Sequence, residues 1–433
     1  MRSSAAEAMN TQPNNPNHGM KKVFQVPRPE PRQQRKLNLV PPPKPQRVEL
    51  IEESDFEDDP SGVKSHRPED LEAIENIEAE PVATRDEIYD LESTKVAIEA
   101  TEVEGYTGSR VYVGMKNKAG GKPSEDFVIA HPDAGIVGVA DGMGSTGKGA
   151  EINGLNPAAR ASRELSAIVS DEFVGIEQGM TPVDAERILK DTKILDIDPN
   201  LTAEPKQFQV KEHSASVETI EQILSGNPEL AKKAAAMVKV LEMGQEGVKK
   251  TNGGMTTGCL VARQGDYSIV ANVGDSMAFL QREGGSFMAV SREDTLLNFL
   301  LDRGEPYTSK IQELKADPEK TLRIGREDIT YRGLALRSMG AFGGPDEQAK
   351  PMITFVKRQK GDRMIVVSDG IVDKYRRPDG TIDTERLTQY LGKREGMSPT
   401  DQIEMAINVA GAERTETKVV DDDKTIAIED NES

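Results

Sequence analysis

The chain has one cysteine and four histidines among its 433 residues. With Cys259 as the single thiol, it cannot form an intramolecular disulfide, which fits a reducing cytoplasm and leaves an exported, disulfide-free protein open. Cys259 lies in the apolar run 258–262 and is expected to pack as a small core residue. No cluster of Cys and His suited to a soft-metal site occurs, so any metal site would have to use oxygen ligands.

Long apolar runs and an excess of basic residues are also absent. No stretch approaches the roughly 20 apolar residues that span a bilayer, and residues 1–22 contain no apolar signal core. The formal net charge of -19 argues against a nucleic-acid partner, because phosphate backbones select basic surfaces. The sequence therefore predicts a soluble cytoplasmic protein without membrane insertion. The lack of a twelve-residue EF-hand loop argues against an acidic Ca²⁺-binding protein.

The N-terminal region differs in composition from the rest of the chain. Residues 1 to about 47 are rich in Pro, Gln and Asn, and are predicted to be disordered. Their Pro-rich segment 39–45 could be a polyproline-II ligand for a partner protein or a plain spacer. Residues 48–100 are acidic, with a short helix predicted over 68–77. We expect one folded domain over 101–433, with a polar insertion near 170–226.

The folded region is predicted to be an α+β sandwich. Several strands are continuous apolar runs, the pattern of a sheet covered on both faces. Hairpin-length links between short strands indicate two packed antiparallel sheets, with helix layers outside them. Strands are predicted at 110–115, 127–130, 135–140, 258–263, 267–273, 279–281, 287–290, 353–358, 364–368 and 425–428. Helices are predicted at 157–169 and 228–249, with a helical interval at 383–409.

Four of the apolar runs end or begin at an acidic residue in a tight turn: 135–142, 267–276, 364–370 and 421–429. In three of them Gly or Ser directly follows the Asp, namely Asp141, Asp275 and Asp369. Such turns bring the backbone close to whatever the carboxylate binds. Strands that deliver Asp to a common edge can form a cage of hard oxygen ligands, which suits Mg²⁺ or Mn²⁺.

Seven motifs follow one another in the order found in a known enzyme family. They are SED at 124–126, VADGMGS at 139–145, GGMTTGCLVA at 253–262, NVGDSMAFL at 272–280, LALRSMGAFG at 334–343, MIVVSDGIVD at 364–373 and DDKTIAIE at 422–429. Over roughly residues 105–430 the chain resembles the metal-dependent protein phosphatases, the type-2C serine/threonine phosphatase family. The family fold, a β-sandwich between helix layers, agrees with the fold predicted from the strand pattern.

The resemblance implies a metal site and a reaction. Two Mg²⁺ or Mn²⁺ ions would share a bridging water that attacks the phosphate of a phosphorylated protein, and a third ion would bind more weakly. The implied site residues are Glu125, Asp126, Asp141, Gly142, Asp275, Asp369 and Asp422. Asp141 would bridge the two ions and, with Asp369, be central to catalysis. Asp126 would support the ligands, and Asp275 with Asp369 would hold the third ion.

Some positions depart from the family pattern. The Arg expected four residues before Glu125 to bind substrate phosphate is Gly121, and the adjacent Lys122 could take its place. The family Arg after Gly-Asp-Ser is Met277, and the usual Asp-His is Asp294-Thr295.

Two questions stay open in the sequence. Asp421 or Asp423 could replace Asp422 as the ligand, although the Asp-Asp-x-Thr register favours Asp422. A pseudophosphatase that uses the fold as a binding module is the alternative function. Retention of mutually repelling carboxylates argues against it.

Overall fold

A computed structural model gives the protein's structure. It describes residues 99–117, 123–143, 151–196, 206–209, 215–251, 253–282, 285, 287–317, 320–324, 327–377, 380–412 and 422–432. The predicted disordered region, the predicted helix at 68–77, Gly121, Lys122 and Asp421 lie outside these residues. The folded part contains two large β-sheets.

One sheet has six strands, all antiparallel to their neighbours. Its spatial order is β1 (Glu99–Val103), β2 (Ser109–Lys116), β15 (Lys424–Asn431), β14 (Arg363–Val367), β9 (Met277–Gln281) and β10 (Phe287–Ala289). The chain's first and last described strands therefore lie close together in one sheet. Strand β1 was not predicted from the sequence, and it starts two residues before the expected domain boundary.

The second sheet has seven strands. Its order is β3 (Phe127–His131), β4 (Ile136–Ala140), β7 (Gly258–Gln264), β8 (Tyr267–Val273), β13 (Met352–Lys357), β5 (Lys193–Asp196) and β6 (Lys206–Gln209). All neighbours are antiparallel except β13 and β5, which run parallel. Strands β5 and β6 both lie in the 170–226 region, which was predicted as a polar insertion and contributes two strands to this sheet.

The two sheets pack face to face through small and branched side chains. The shared core contains Val111, Val137, Val139, Cys259, Val261, Val270, Ala278, Leu280, Val366 and Ala427. Cys259 is buried there, as the sequence predicts. At about 25 cal/mol per Å² of apolar surface removed from water, burial of these side chains is the main force that holds the sheets together. The predicted fold class is confirmed.

Helices cover the outer face of the seven-stranded sheet. They are α1 (Pro157–Gly179), α2 (Pro182–Lys190), α3 (Ala215–Gly226) and α4 (Pro228–Val248). Helix α1 starts at a Pro after Asn156, whose side chain accepts a hydrogen bond from the Ala159 amide. It runs ten residues beyond the predicted end, because Phe173 continues its buried face.

The outer face of the six-stranded sheet carries α8 (Asp369–Val372), α9 (Thr384–Leu391) and α10 (Pro399–Ala412). Their apolar side chains pack on Ile365, Val367, Ile426 and Ile428. The predicted helical interval is thus two helices, and Asp383 caps the first by accepting from the Arg386 amide.

A small lobe projects between β10 and β13. It consists of α5 (Leu296–Asp302), α6 (Tyr307–Ala316), the hairpin β11 (Thr321–Ile324) and β12 (Glu327–Thr330), and α7 (Tyr331–Leu336). The lobe has a core of its own, centred on Leu300 and Leu334. The two segments that connect the lobe to the rest of the fold pair with each other through Thr295 and Ser338. Among the described residues, no helix is long and apolar enough to cross a membrane.

Candidate metal-binding active site

The sheet topology brings the predicted acidic residues to one edge of the sandwich. In the seven-stranded sheet, β4 and β8 end at this edge and β3 begins there, since neighbouring strands are antiparallel. In the six-stranded sheet, β14 ends where β15 begins. The acids just outside these strand ends are Glu125, Asp126, Asp141, Asp275, Asp369, Asp422 and Asp423.

The turn that carries Glu125 is fixed by hydrogen bonds on several sides. Its carbonyl accepts from the Gly142 amide at 3.1 Å and from the Ser162 hydroxyl at 2.5 Å. Its amide donates to the Asp423 carboxylate at 2.6 Å, and its own carboxylate accepts from Asn156. A Cβ at Gly142 would lie 2.5 Å from the Glu125 carbonyl oxygen, so only glycine permits this close approach.

Asp126 is buried and belongs to the same group of charges. Its Oδ2 accepts a hydrogen bond of 2.9 Å from the Thr425 hydroxyl on β15. Burial raises the pKa of Asp126 well above the usual range, and the carboxylates of Asp423, Asp369 and Asp422 raise it further. The Thr425 contact ties the two sheets together at the edge where the acids meet.

Asp141 follows β4 and has a firmly held backbone. Its carbonyl accepts from the Thr256 hydroxyl and the Thr257 amide, both at 2.8 Å. Its Oδ2 is buried and makes no hydrogen bond to another protein group. Burial raises the pKa of Asp141 strongly, with further contributions from Asp126 and Asp369. A buried carboxylate oxygen without a protein donor is an expensive arrangement that a bound cation would satisfy.

Asp369 and Asp275 extend the group. Asp369 is the first residue of α8, and its pKa is raised to about 7 by burial, then by Asp373 and Asp422. Burial also raises the pKa of Asp275, followed by the charges of Asp369, Asp373 and Glu293. The same carboxylates raise one another's pKa, so they lie close together and repel one another.

The three aspartates before β15 differ in their surroundings. Asp423 is 1 % exposed and accepts from the Glu125 amide, which gives it a role in holding the turn. Asp422 is partly buried, accepts from the Asp423 amide at 2.9 Å, and raises the pKa of both Asp126 and Asp369. These contacts support Asp422 as the candidate ligand.

The residue types at this edge suit a hard divalent cation, whereas their arrangement is not that of a formed metal site. Among the described residues, no three His, Cys, Asp or Glu side chains are placed so that they could hold one ion. The donors at this edge are nevertheless all oxygens, they carry a large excess of negative charge, and Asp141 offers an unpaired Oδ2. Carboxylate oxygens are the ligands that Mg²⁺ and Mn²⁺ prefer.

Sequence reasoning missed three residues that the structure adds to this edge: Glu293, Asp373 and Arg376. Asp373 was within reach of a sequence argument, since it lies four residues after Asp369 and such pairs share a helix face. Glu293 and Arg376 were not, because a long-range ion pair joins them.

Met277 and Asp294, two of the positions that depart from the family pattern, lie among the described residues. Met277 is buried in the core beneath α8, and its uncharged side chain cannot replace the phosphate-binding charge of an Arg. Asp294 is partly buried, its Oδ2 accepts a hydrogen bond of 3.2 Å from the Gly274 amide, and desolvation raises its pKa to about 7. Lys122 remains a prediction, because it lies outside the described residues.

Comparison with solved structures finds bacterial serine/threonine phosphatases among the similar chains. The Mycobacterium tuberculosis phosphatase PstP/Ppp is 18 % identical, with a TM-score of 0.41, and the match covers 75 % of this chain and 99 % of that one. A catalytic domain of PstP in complex with two manganese ions is 17 % identical, with a TM-score of 0.39 and coverages of 75 % and 99 %. The S. agalactiae serine/threonine phosphatase is 15 % identical, with a TM-score of 0.42 and coverages of 77 % and 100 %.

No curated protein matched the chain in sequence. The family model for protein phosphatase 2C, in contrast, matches residues 113–404, well over half of the chain. This span includes the motifs from SED to MIVVSDGIVD that carried the resemblance. The chain therefore belongs to the protein phosphatase 2C family of metal-dependent protein serine/threonine phosphatases.

Proposed function

We propose that this protein hydrolyses phosphoserine and phosphothreonine in protein substrates, with two Mg²⁺ or Mn²⁺ ions held at the acidic edge of the sandwich. The observation that carries the proposal is the set of carboxylates from both sheets that raise one another's pKa there. A protein gains no stability from such repulsion, so the arrangement calls for a cation as its counterpart.

Each predicted residue has a proposed part. Asp141 would lie between the two ions because it directly follows β4 and its Oδ2 makes no hydrogen bond to another protein group. Asp369 and Asp422 would bind from the six-stranded sheet, and Glu125 from the seven-stranded sheet. The carbonyl of Gly142 would complete the coordination of one ion. Asp126, held by Thr425, would orient its neighbours. The family resemblance assigns a weaker third ion to Asp275 and Asp369, and this ion is not part of the proposed two-ion mechanism.

The metal ions, when bound, would supply activation of a water molecule and charge neutralisation at the transferred phosphoryl group. The chain's own residues provide rigidity. The Glu125 turn is fixed by Gly142, Ser162 and Asp423, so its carboxylate is positioned before substrate arrives. No side-chain nucleophile is needed, and none is proposed. Membership of the protein phosphatase 2C family supports the choice of metal.

The test is hydrolysis of p-nitrophenyl phosphate and of a phosphothreonine peptide by the full chain, after removal of metal and with Mn²⁺ restored at millimolar concentration. The proposal predicts turnover only with Mn²⁺ or Mg²⁺. Full activity in excess EDTA would contradict the metal mechanism. Complete inactivity with tight, metal-independent phosphopeptide binding would indicate the pseudophosphatase alternative.

A further inference from the structure

Arg376 is a buried arginine clamped between two acidic residues. Its side chain is 2 % exposed. Its Nε donates to Asp373 Oδ1 at 2.6 Å, and its two terminal nitrogens donate to the two carboxylate oxygens of Glu293. One of them also donates to the Gly380 carbonyl at 3.1 Å. The guanidinium therefore holds Glu293 in a bidentate pair and Asp373 through a third bond.

Asp373 connects this clamp to the candidate metal site on one side. Asp369 opens α8, and Asp373 directly follows the end of that helix. Residues four apart along a helical turn lie on one face, about 5–6 Å apart at Cβ. The carboxylate that Arg376 holds is therefore a neighbour of the Asp369 carboxylate.

Glu293 connects the clamp on the other side. The next residue, Asp294, accepts a hydrogen bond from the Gly274 amide and returns one to the Gly274 carbonyl through its own amide. Gly274 immediately precedes Asp275. The two partners of Arg376 thus flank Asp275 and Asp369, the pair expected to hold a third metal ion.

The electrostatics agree with this geometry. After burial, the groups that raise the pKa of Asp275 are Asp369, Asp373 and Glu293. Four acidic groups therefore act in one small region, and Arg376 brings a positive charge into direct contact with two of them. An arginine stays protonated at any physiological pH, so this charge is permanent.

We propose that Arg376 is a positioning residue that takes the place of a third metal ion beside Asp275 and Asp369. By binding Glu293 and Asp373, it withdraws their oxygens from metal coordination, and its fixed charge opposes entry of another cation. The protein then works with two ions. This inference rests on the proposed function, since it concerns the ion count of the same site.

The experiment counts Mn²⁺ bound to the metal-stripped full chain by isothermal titration calorimetry, checked by the electron paramagnetic resonance signal of free Mn²⁺. Four proteins are compared: wild type, Arg376→Gln, Arg376→Lys and, as a matched control, Arg377→Gln. Arg377 is adjacent, but its side chain is 50 % exposed and pairs with Asp383. Thermal unfolding of each protein shows whether the fold is retained.

The inference predicts two Mn²⁺ ions for wild type and for Arg377→Gln at up to about 1 mM metal, the concentration range of weak protein sites. Arg376→Gln should bind one additional ion, at least about tenfold more tightly than any third ion of wild type, because a nearby positive charge is gone. Arg376→Lys should restore two-ion binding, since it keeps the charge.

Three ions in wild type would overturn the inference whatever the variants do. A well-folded Arg376→Gln that still binds two would overturn it as well, and would assign Arg376 to stability alone. Both results would leave the proposed function intact. If no protein binds Mn²⁺, both proposals fail. Should Arg376→Gln not fold, Glu293→Gln tests the same clamp, and the inference then requires no third ion in that variant.

Discussion

The backbone amide of Glu125 donates a 2.6 Å hydrogen bond to the carboxylate of Asp423, although 298 positions separate them in the chain. Glu125 leads into the seven-stranded sheet, and Asp423 leads into the six-stranded sheet. The bond therefore fastens the two sheets to each other at the edge where the acidic residues gather. It makes the spacing of the candidate ligands depend on the docking of the sheets, and not on one local loop.

Gly370 tests that dependence. A Cβ at Gly370 would lie 1.9 Å from the carbonyl oxygen of Asp423, so a side chain there must push the start of α8 away from the start of β15. We expect Gly370→Ala to lower kcat at least about a hundredfold, because Asp369 and Asp422 would move apart and small displacements of catalytic groups are costly. Steady-state kinetics with Mn²⁺ would measure this effect.

Gly175→Ala is the matched control for that substitution. Gly175 lies in α1, and a Cβ there would meet nothing within 4 Å. This variant should keep wild-type kcat and gain up to about 1 kcal/mol of stability from alanine's higher helix propensity. Equal activity of both variants would show that the close approach at Gly370 does not position the site.

The stability of metal-free protein should fall as pH rises. The folded-state pKa of Asp369 is raised to about 7 by burial and by Asp373 and Asp422, whereas the pKa of an unfolded Asp is about 3.9. The folded state therefore holds more protons between these values, and stability decreases through this window. Asp126, Asp141 and Asp275 are shifted in the same direction.

Thermal unfolding in EDTA from pH 5 to pH 8 would measure this trend. Asp369→Asn should flatten it, and Mn²⁺ should raise the unfolding temperature most at the alkaline end, where the carboxylates are charged. An unfolding temperature that rises steadily with pH in EDTA would contradict the electrostatic description of the site.

Truncation tests where the folded domain begins. All five residues of β1, from Glu99 to Val103, pair with β2. A chain that starts at residue 96 keeps this strand and should retain full activity on a small phosphate ester. A start at Thr101 cuts two residues from β1, and a start at Gly105 removes it and exposes the edge of β2, which should lower stability and promote aggregation. Equal unfolding temperatures for the three proteins would show that β1 contributes little.

Lys122 is the predicted substitute for the family's phosphate-binding Arg. If Lys122 contacts substrate phosphate, Lys122→Ala removes one charge-assisted hydrogen bond and lowers kcat/KM by roughly ten- to a hundredfold, with Mn²⁺ affinity unchanged. Lys190→Ala, at an exposed ion pair with Glu186 on α2, is the control and should have no effect. An unchanged kcat/KM for Lys122→Ala would mean that the metal ions alone bind the phosphate.

The strands that consist of continuous apolar runs were predictable, because such runs favour burial between two layers. The runs that end in Asp141, Asp275 and Asp369 also indicated a common edge, and the antiparallel topology places those turns together. The order of the strands within each sheet was not predictable, since it depends on pairing between distant segments such as β2 and β15. The lobe of α5 to α7 and the ion pairs of Arg376 were not predictable for the same reason, because packing and ion pairs between distant segments define them.

The central claim is that Asp141 and Asp369 hold the metal ions that drive phosphate hydrolysis. Its most direct test is the Mn²⁺-dependent release of phosphate from a phosphothreonine peptide by wild type, Asp141→Asn and Asp369→Asn. Asp266→Asn, in the exposed turn between β7 and β8, is the control. We predict that each of the two site variants loses at least about 10³-fold in kcat at every Mn²⁺ concentration, with the control unchanged. A site variant that keeps a tenth of the wild-type rate would contradict the account.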